Sequence, residues 1–110
     1  MVREPGMEQA MREDLGHLPG LAEKPMFGGL CFLSDGHMIC AARHGRAMYR
    51  VGKTREPDAL ALPGTARMVH NGRAYAGWVY LDEHQLSDDA TRARLTGWAK
   101  DCVRALPPKE

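Results

Sequence analysis

Apolar side chains recur at helical spacing near both ends of the chain. Residues 7–18 carry an apolar residue at every third or fourth position, and Pro19-Gly20 then ends the pattern. Near the other end, Ser87 is the expected N-cap of a second amphipathic helix and Arg104 lies near its C-terminus, where a cation suits the helix dipole. The apolar stripe of this helix consists of Leu95, Trp98, Ala99, Cys102 and Leu106. We expect Gly97, inside it, to let a neighbouring backbone approach closely.

Between these helices the pattern changes to one typical of strands. Residues 26–52 predict three strands joined by tight turns at Asp35-Gly36 and His44-Gly45. Such turns need residues that accept positive φ, which favours Asp-Gly most of all. Residues 21–25, just before them, are interpreted as a connector.

The remaining segment predicts a short helix and two more strands. Pro57 in the first turn favours a helix that begins near Glu56 and ends before Pro63-Gly64. Residues 66–70 and 77–81 then have the composition of strands. The order α-β-β-β-α-β-β-α predicts a single α+β domain over residues 1–110, with an antiparallel sheet and the helices packed on one face.

If both turns of the three-stranded segment have two residues, each side chain is assigned to one of two faces. Cys31 then lies opposite Cys40 and on the same side as Tyr49. The face expected to form the core carries Gly29, Cys31, Leu33, Met38, Cys40, Ala42, Ala47, Tyr49 and Val51. The other face, apolar at its centre and basic at one end, carries Leu30, Phe32, Ile39, Ala41, Arg43, Arg46, Met48 and Arg50. We expect another segment or a second subunit to cover it.

Charge is unevenly distributed along a chain whose net charge is only +1. Residues 37–73 carry seven basic and two acidic groups, whereas the segments on either side are net acidic. A local excess of this size attracts anionic partners. The interaction surface expected from the register and the charge consists of Phe32, Ile39, Arg43, Arg46, Met48, Arg50, Lys53 and Arg55.

The residues predict no enzyme active site, cofactor site or metal site. The glycines of residues 26–29 precede a strand, so they do not form a phosphate-binding loop and are expected to mark a bulge or a close backbone approach. The three cysteines and five histidines lack metal-ligand spacing. Cys31 and Cys40, as cross-strand neighbours, are either a redox-sensitive pair or two buried thiols.

The expected location is the cytoplasm, without contact with a membrane. The first 13 residues are polar and carry both signs of charge, which is unlike a secretory signal. No stretch has the roughly 18 apolar residues of a membrane span.

Several short motifs, in order along the chain, resemble the TfoX N-terminal domain, which occurs in competence regulators of the Sxy/TfoX type. They are MFGG at residues 26–29, LALPG at 60–64, GWVYL at 77–81 and LPPK at 106–109. The residues that carry the resemblance most directly are Met26, Phe27, Gly28, Gly29, Gly77 and Trp78. The founding regulators also carry a helical C-terminal domain, which these 110 residues do not include, so we interpret the chain as a single-domain member.

The resemblance implies an α-β₃-α-β₂-α fold, no catalytic residues and a role in regulating genes for DNA uptake. Three classes of function therefore stay open. The first is a regulatory or interaction domain that acts through a homodimer or a protein partner. The second is a nucleic-acid-binding module that uses the basic segment 43–73. The third is a small ligand-binding domain or enzyme, which would need a pocket with converging polar groups.

Overall fold

The structure, a computed structural model, describes residues 5–26, 28–43 and 45–107. These residues form three α-helices and six strands, with one 3₁₀ turn at Glu83–Gln85. The elements in chain order are α1 (Pro5–Leu15), β1 (Leu21–Met26), β2 (Gly29–Ser34), β3 (His37–Arg43), β4 (Arg46–Arg50), α2 (Glu56–Leu60), β5 (Thr65–His70), β6 (Arg73–Asp82) and α3 (Asp89–Arg104).

The six strands form one antiparallel sheet in the order β1-β2-β3-β4-β6-β5. The predicted α+β class, the antiparallel sheet and the order of the predicted elements are confirmed. None of the helices in the described part of the chain is long and apolar enough to cross a membrane.

The interpretation of residues 21–25 as a connector is wrong, because they belong to the edge strand β1. This strand pairs with β2 along its whole length, with Leu21 opposite Ser34 and Met26 opposite Gly29. Its sequence contains Pro25 and lacks a strand-like alternation, so nothing local predicts it. An edge strand tolerates proline because only one of its sides has to form a ladder, and here β2 supplies that ladder.

The predicted turn at Asp35-Gly36 is confirmed, with φ values of 50° and 85°. Asn71-Gly72, between β5 and β6, forms another turn with both φ values positive. His44 lies outside the described residues, but Arg43 pairs with Arg46 and the β3–β4 register is the predicted one.

The predicted register of β2 against β3 is wrong beyond the first two pairs, because a β-bulge interrupts it. Leu33 pairs with Met38 as expected, but Phe32 pairs with Cys40 and Cys31 with Ala41. The extra residue on β3 moves each following partner by one, which exchanges the faces of β2. Cys31 and Tyr49 therefore lie on opposite sides of the sheet, although the fold itself is unaffected.

All three helices contribute to one apolar core on a single face of the sheet. Each helix contributes buried side chains to this core, including Met11 from α1, Ala59 from α2 and Leu95 from α3. From the sheet come Leu30, Phe32, Ile39, Cys40, Ala42, Ala47, Tyr49, Val79 and Leu81. We call this side of the sheet the helix face and the opposite side the outer face.

Polar contacts at the ends of the helices hold them on the helix face. The N-cap of α3 is Asp88, not Ser87, since the Asp88 carboxylate accepts hydrogen bonds from the backbone N–H and the hydroxyl of Thr91, at 3.3 and 2.7 Å. Arg92 in the same helix donates to both carboxylate oxygens of Asp14, at 2.9 and 3.2 Å, and so joins α3 to the end of α1. These hydrogen bonds raise the pKa of Arg92.

Candidate interaction surface

The outer face is apolar at its centre, and no helix in the described ranges covers it. Cys31, Ala41, Met48 and Tyr80 form a small buried cluster there. A ring of partly buried apolar side chains packs around this cluster, consisting of Met26, Leu33, Met38, Met68 and Trp78. Four of the chain's seven methionines thus lie on this face, from strands at both edges and at the centre of the sheet.

Cationic side chains lie on both sides of the apolar centre of the outer face, with Arg43 and Arg46 beside the β3–β4 turn and Arg50 at the other end of β4. Strand alternation places Arg43 on the same side as Ala41, and places Arg46 and Arg50 on the same side as Met48. The guanidinium carbon of Arg46 lies 3.9 Å from the ring centroid of Tyr80, a cation–π contact.

Two more observations define the charge of this surface. Arg50 donates a hydrogen bond of 3.4 Å to the Met38 carbonyl. Lys24, opposite Cys31 in the register, adds a fourth cation from β1, whereas its neighbour Glu23 is on the helix face, where it pairs with Arg12 at 2.7 Å. Together these cations give the outer face an excess of positive charge.

Phe32 and Ile39 are not part of this surface, which corrects the sequence-based prediction. Both side chains are fully buried in the core on the helix face. The bulge in β3 is the reason, because it turns both Phe32 and Ile39 toward the helices. The predicted members Arg43, Arg46, Met48 and Arg50 do share the outer face.

Lys53 and Arg55, the other two predicted members, lie beyond the end of β4 and contact residues that are not part of the outer face. Arg55 pairs with Asp58 at 3.0 Å and its guanidinium lies 5.7 Å from the ring centroid of Trp98, on α3. Lys53 lines a groove of about 360 Å³ together with Glu56 and other residues of α2, β5 and β6. The basic segment 43–73 is therefore divided among several surfaces.

The groove beside Lys53 contains a carboxylate that already has two partners. Glu56 accepts a hydrogen bond of 2.7 Å from the backbone N–H of Gly77 and lies 3.7 Å from Arg67. Gly77 has a φ of 86°, and its carbonyl accepts a hydrogen bond of 2.9 Å from the backbone N–H of Gly52. Glu56 thus helps to hold the backbone of β6 at this glycine, which is a structural role.

The motif residues of the sequence analysis also have structural roles where they are described. Gly28 has a φ of 77°, and a Cβ on Gly29 would lie 2.1 Å from the backbone oxygen of Ala42. The expected close backbone approach is therefore confirmed. Met26 and Trp78 pack on the outer face, and Phe27 lies outside the described residues.

The three cysteines are free thiols in separate places. Because Cys31 and Cys40 lie on opposite faces of the sheet, the hypothesis of a redox-sensitive cross-strand pair is wrong. Burial raises the pKa of both thiols, and Arg43 opposes this effect at Cys31. Cys102 is half-buried and lines a second groove, of about 300 Å³, beside Trp98.

In the part of the chain that the structure describes, no group of three or more His, Cys, Asp or Glu residues is placed to hold a metal ion.

Sequence reasoning missed several residues of the outer face. Lys24 and Met26 were out of reach because the pattern of β1 does not predict a strand. Leu33 and Met38 are predicted to face the core and do pair with each other as expected, but the bulge that follows Met38 in β3 puts both on the outer face. Tyr80 was found as part of a strand, but its position beside β4 follows only from the pairing of β4 with β6.

The fold and this surface define a class of protein: a small α+β domain with three helices on one sheet face and an apolar, cationic second face. The sequence profile of the TfoX N-terminal domain matches residues 13–106, and the chain therefore belongs to the TfoX N-terminal domain family. Neither the comparison with curated proteins nor that with solved structures finds a match.

Proposed function

We propose that this protein is a non-enzymatic regulatory domain that acts in the cytoplasm by binding another protein through the outer face of its sheet. The observation that carries the proposal is the ring of partly buried apolar side chains around the buried cluster of Met48 and Tyr80, on a sheet face that no described helix covers. The ring contains methionine and tryptophan, which are enriched where proteins bind each other. Membership of a family that includes competence regulators supports the regulatory part of the proposal.

Methionine suits such a surface for a physical reason. Its side chain is unbranched and polarisable, so it can adapt to the shape of an incoming partner. Met26, Met38 and Met68 are partly exposed and come from β1, β3 and β5, so the adaptable surface crosses the sheet. A partner that covers them removes apolar area from water, at about 25 cal/mol for each Å².

Site-specific photocrosslinking in the native host tests the proposal. Benzoylphenylalanine replaces Met38 on the outer face in one strain and Gln9, exposed on α1, in a control strain. We expect a crosslinked protein at position 38 and none at position 9. Met26 and Met68 are replaced in the same way in two further strains. Equal crosslinking at positions 38 and 9, or no crosslinking at 38, 26 and 68, would show that the outer face is not a binding surface.

A further inference from the structure

We infer that the partner of the outer face is an acidic, apolar segment of another protein, whose carboxylates meet Arg43, Arg46 and Arg50 while an apolar side chain covers the methionines. This inference rests on the proposed function and deepens it. It names the chemistry of the partner, and it decides among the homodimer, the protein partner and the nucleic acid that the sequence left open.

The arginines of the outer face differ from most others in the chain by lacking a carboxylate. Within the described ranges, neither Arg43, Arg46 nor Arg50 forms an ion pair. Away from this face, the arginines that have an ion pair are Arg12, Arg55, Arg67, Arg92 and Arg104. The outer face therefore keeps its charge available for a partner, and a guanidinium prefers a carboxylate that it can bind through two parallel hydrogen bonds.

Two of these arginines are already held in place. Arg46 lies against the ring of Tyr80, and Arg50 reaches the Met38 carbonyl. Asp82 lies opposite Arg46 in the register, but no ion pair joins the two side chains, and one Asp82 oxygen accepts the backbone N–H of His84 at 2.9 Å. Side chains that are ordered before binding lose less conformational entropy when the partner arrives.

A second copy of this chain, bound face to face, fits this surface poorly. Arg43, Arg46, Arg50 and Lys24 against Asp82 give the outer face a charge of +3, and a two-fold contact would place two such faces together. Like charges that face each other across an interface disfavour association.

The middle of the face favours a polypeptide over a nucleic acid. Single-stranded nucleic acids need aromatic side chains on which bases can stack. Here Arg46 covers the ring of Tyr80, and Trp78 is partly buried. Methionine and leucine side chains instead match apolar side chains of a peptide, which a phosphate backbone does not provide.

Selection from a peptide library supplies a defined probe. A phage-displayed library of random 16-residue peptides is selected against the full chain, and the enriched peptides are synthesised and measured by fluorescence anisotropy. Each is tested against the native chain and three triple variants. These are Arg43→Glu/Arg46→Glu/Arg50→Glu, the same three positions changed to Lys, and Arg55→Glu/Arg94→Glu/Arg104→Glu as a control with an equal change of net charge on the other side of the molecule.

We expect the selected peptides to combine Asp or Glu with large apolar residues. Charge reversal on the outer face should weaken their binding at least tenfold, whereas the Lys variant and the control triple should stay within about threefold of the native chain. Affinity should also fall with rising salt concentration. Circular dichroism establishes that each variant is folded.

The outcomes separate the two proposals. A further variant, Met38→Glu, tests the apolar part of the surface. If the selected peptides are neutral or basic and their binding is lost in Met38→Glu, the inference of an acidic partner is wrong and the proposed binding surface stands. If no outer-face change affects peptide binding, both the acidic partner and the binding surface are wrong. Tighter binding of a 20-base-pair DNA duplex than of any peptide, lost on charge reversal, would replace the protein partner with nucleic acid. A dimer in sedimentation that dissociates in Met38→Glu would replace it with a second copy.

Discussion

Replacing Gly29 with alanine tests whether the MFGG motif is a backbone packing feature. A Cβ at this position would lie 2.1 Å from the backbone oxygen of Ala42 and 3.1 Å from Cγ of Arg43. Ordinary contacts between such atoms are about 3.5 Å, so the Ala42 carbonyl would have to move by more than ~1 Å. This carbonyl belongs to β3 and cannot rotate away as the end of a flexible side chain could.

The cost follows from the sheet geometry. Backbone hydrogen bonds tolerate donor–acceptor distances of only about 2.7–3.2 Å, so a displacement of ~1 Å breaks those beside the site. Overpacking costs about 1–3 kcal/mol and each lost hydrogen bond about 0.5–1.5 kcal/mol. We therefore expect Gly29→Ala to lower the free energy of unfolding by about 2–4 kcal/mol, a large part of the stability of a small domain.

Urea denaturation followed by tryptophan fluorescence measures this change, since Trp78 and Trp98 report from opposite faces of the sheet. The matched control is Gly97→Ala in α3, where nothing lies within 4 Å of the new Cβ. This corrects the expected close approach at Gly97, and relief of the glycine penalty should raise stability by about 1 kcal/mol. A loss below about 0.5 kcal/mol in Gly29→Ala would refute the packing argument.

Three further predictions concern single groups. Glu56→Ala should cost about 1–3 kcal/mol in urea denaturation and Glu56→Gln clearly less, because only alanine leaves the Gly77 N–H without its acceptor; equal losses would contradict this. In the native protein at pH 8, a thiol reagent should modify Cys102 well before the two buried cysteines, and three thiols should react in denaturant; rapid modification of all three in the folded chain would contradict the burial. The hydrogen bonds from Thr91 hold the pKa of Asp88 below its ordinary value, so its stabilising effect is present above pH ~4 and is lost as the pH falls through the lowered pKa. Thermal melts from pH 6 to pH 2 should therefore fall less steeply in Asp88→Asn, and parallel curves would refute this.

Local patterns were sufficient for most of the fold. The spacing of apolar residues predicted α1 and α3, and Pro57 marked the start of α2. Asp35-Gly36 located the first hairpin, because positive φ at two successive positions is a local requirement that few residue pairs meet. The register of β3 against β4, and with it the alignment of Arg43, Arg46 and Met48 on one face, also followed from sequence.

Two features of the sheet depended on pairing that the local pattern does not show. The strand β1 exists because the neighbouring strand β2 offers it a free edge, although residues 21–26 themselves lack the pattern of a strand. The strand β6 adds Tyr80 and Trp78 to the outer face by pairing with β4, whose residues lie about 30 positions earlier, so no short window of sequence contains both partners.

The sequence by itself determined the family, the order of every α-helix and strand except β1, and the shared face of Arg43, Arg46 and Arg50. Only the tertiary structure decided which apolar residues belong to the core. A single extra residue in β3 reverses the faces of Cys31 and Phe32, because strand side chains alternate with a period of two. Both possible faces of β2 are apolar in sequence, so their hydropathy did not distinguish them, and the choice was made by packing against the helices.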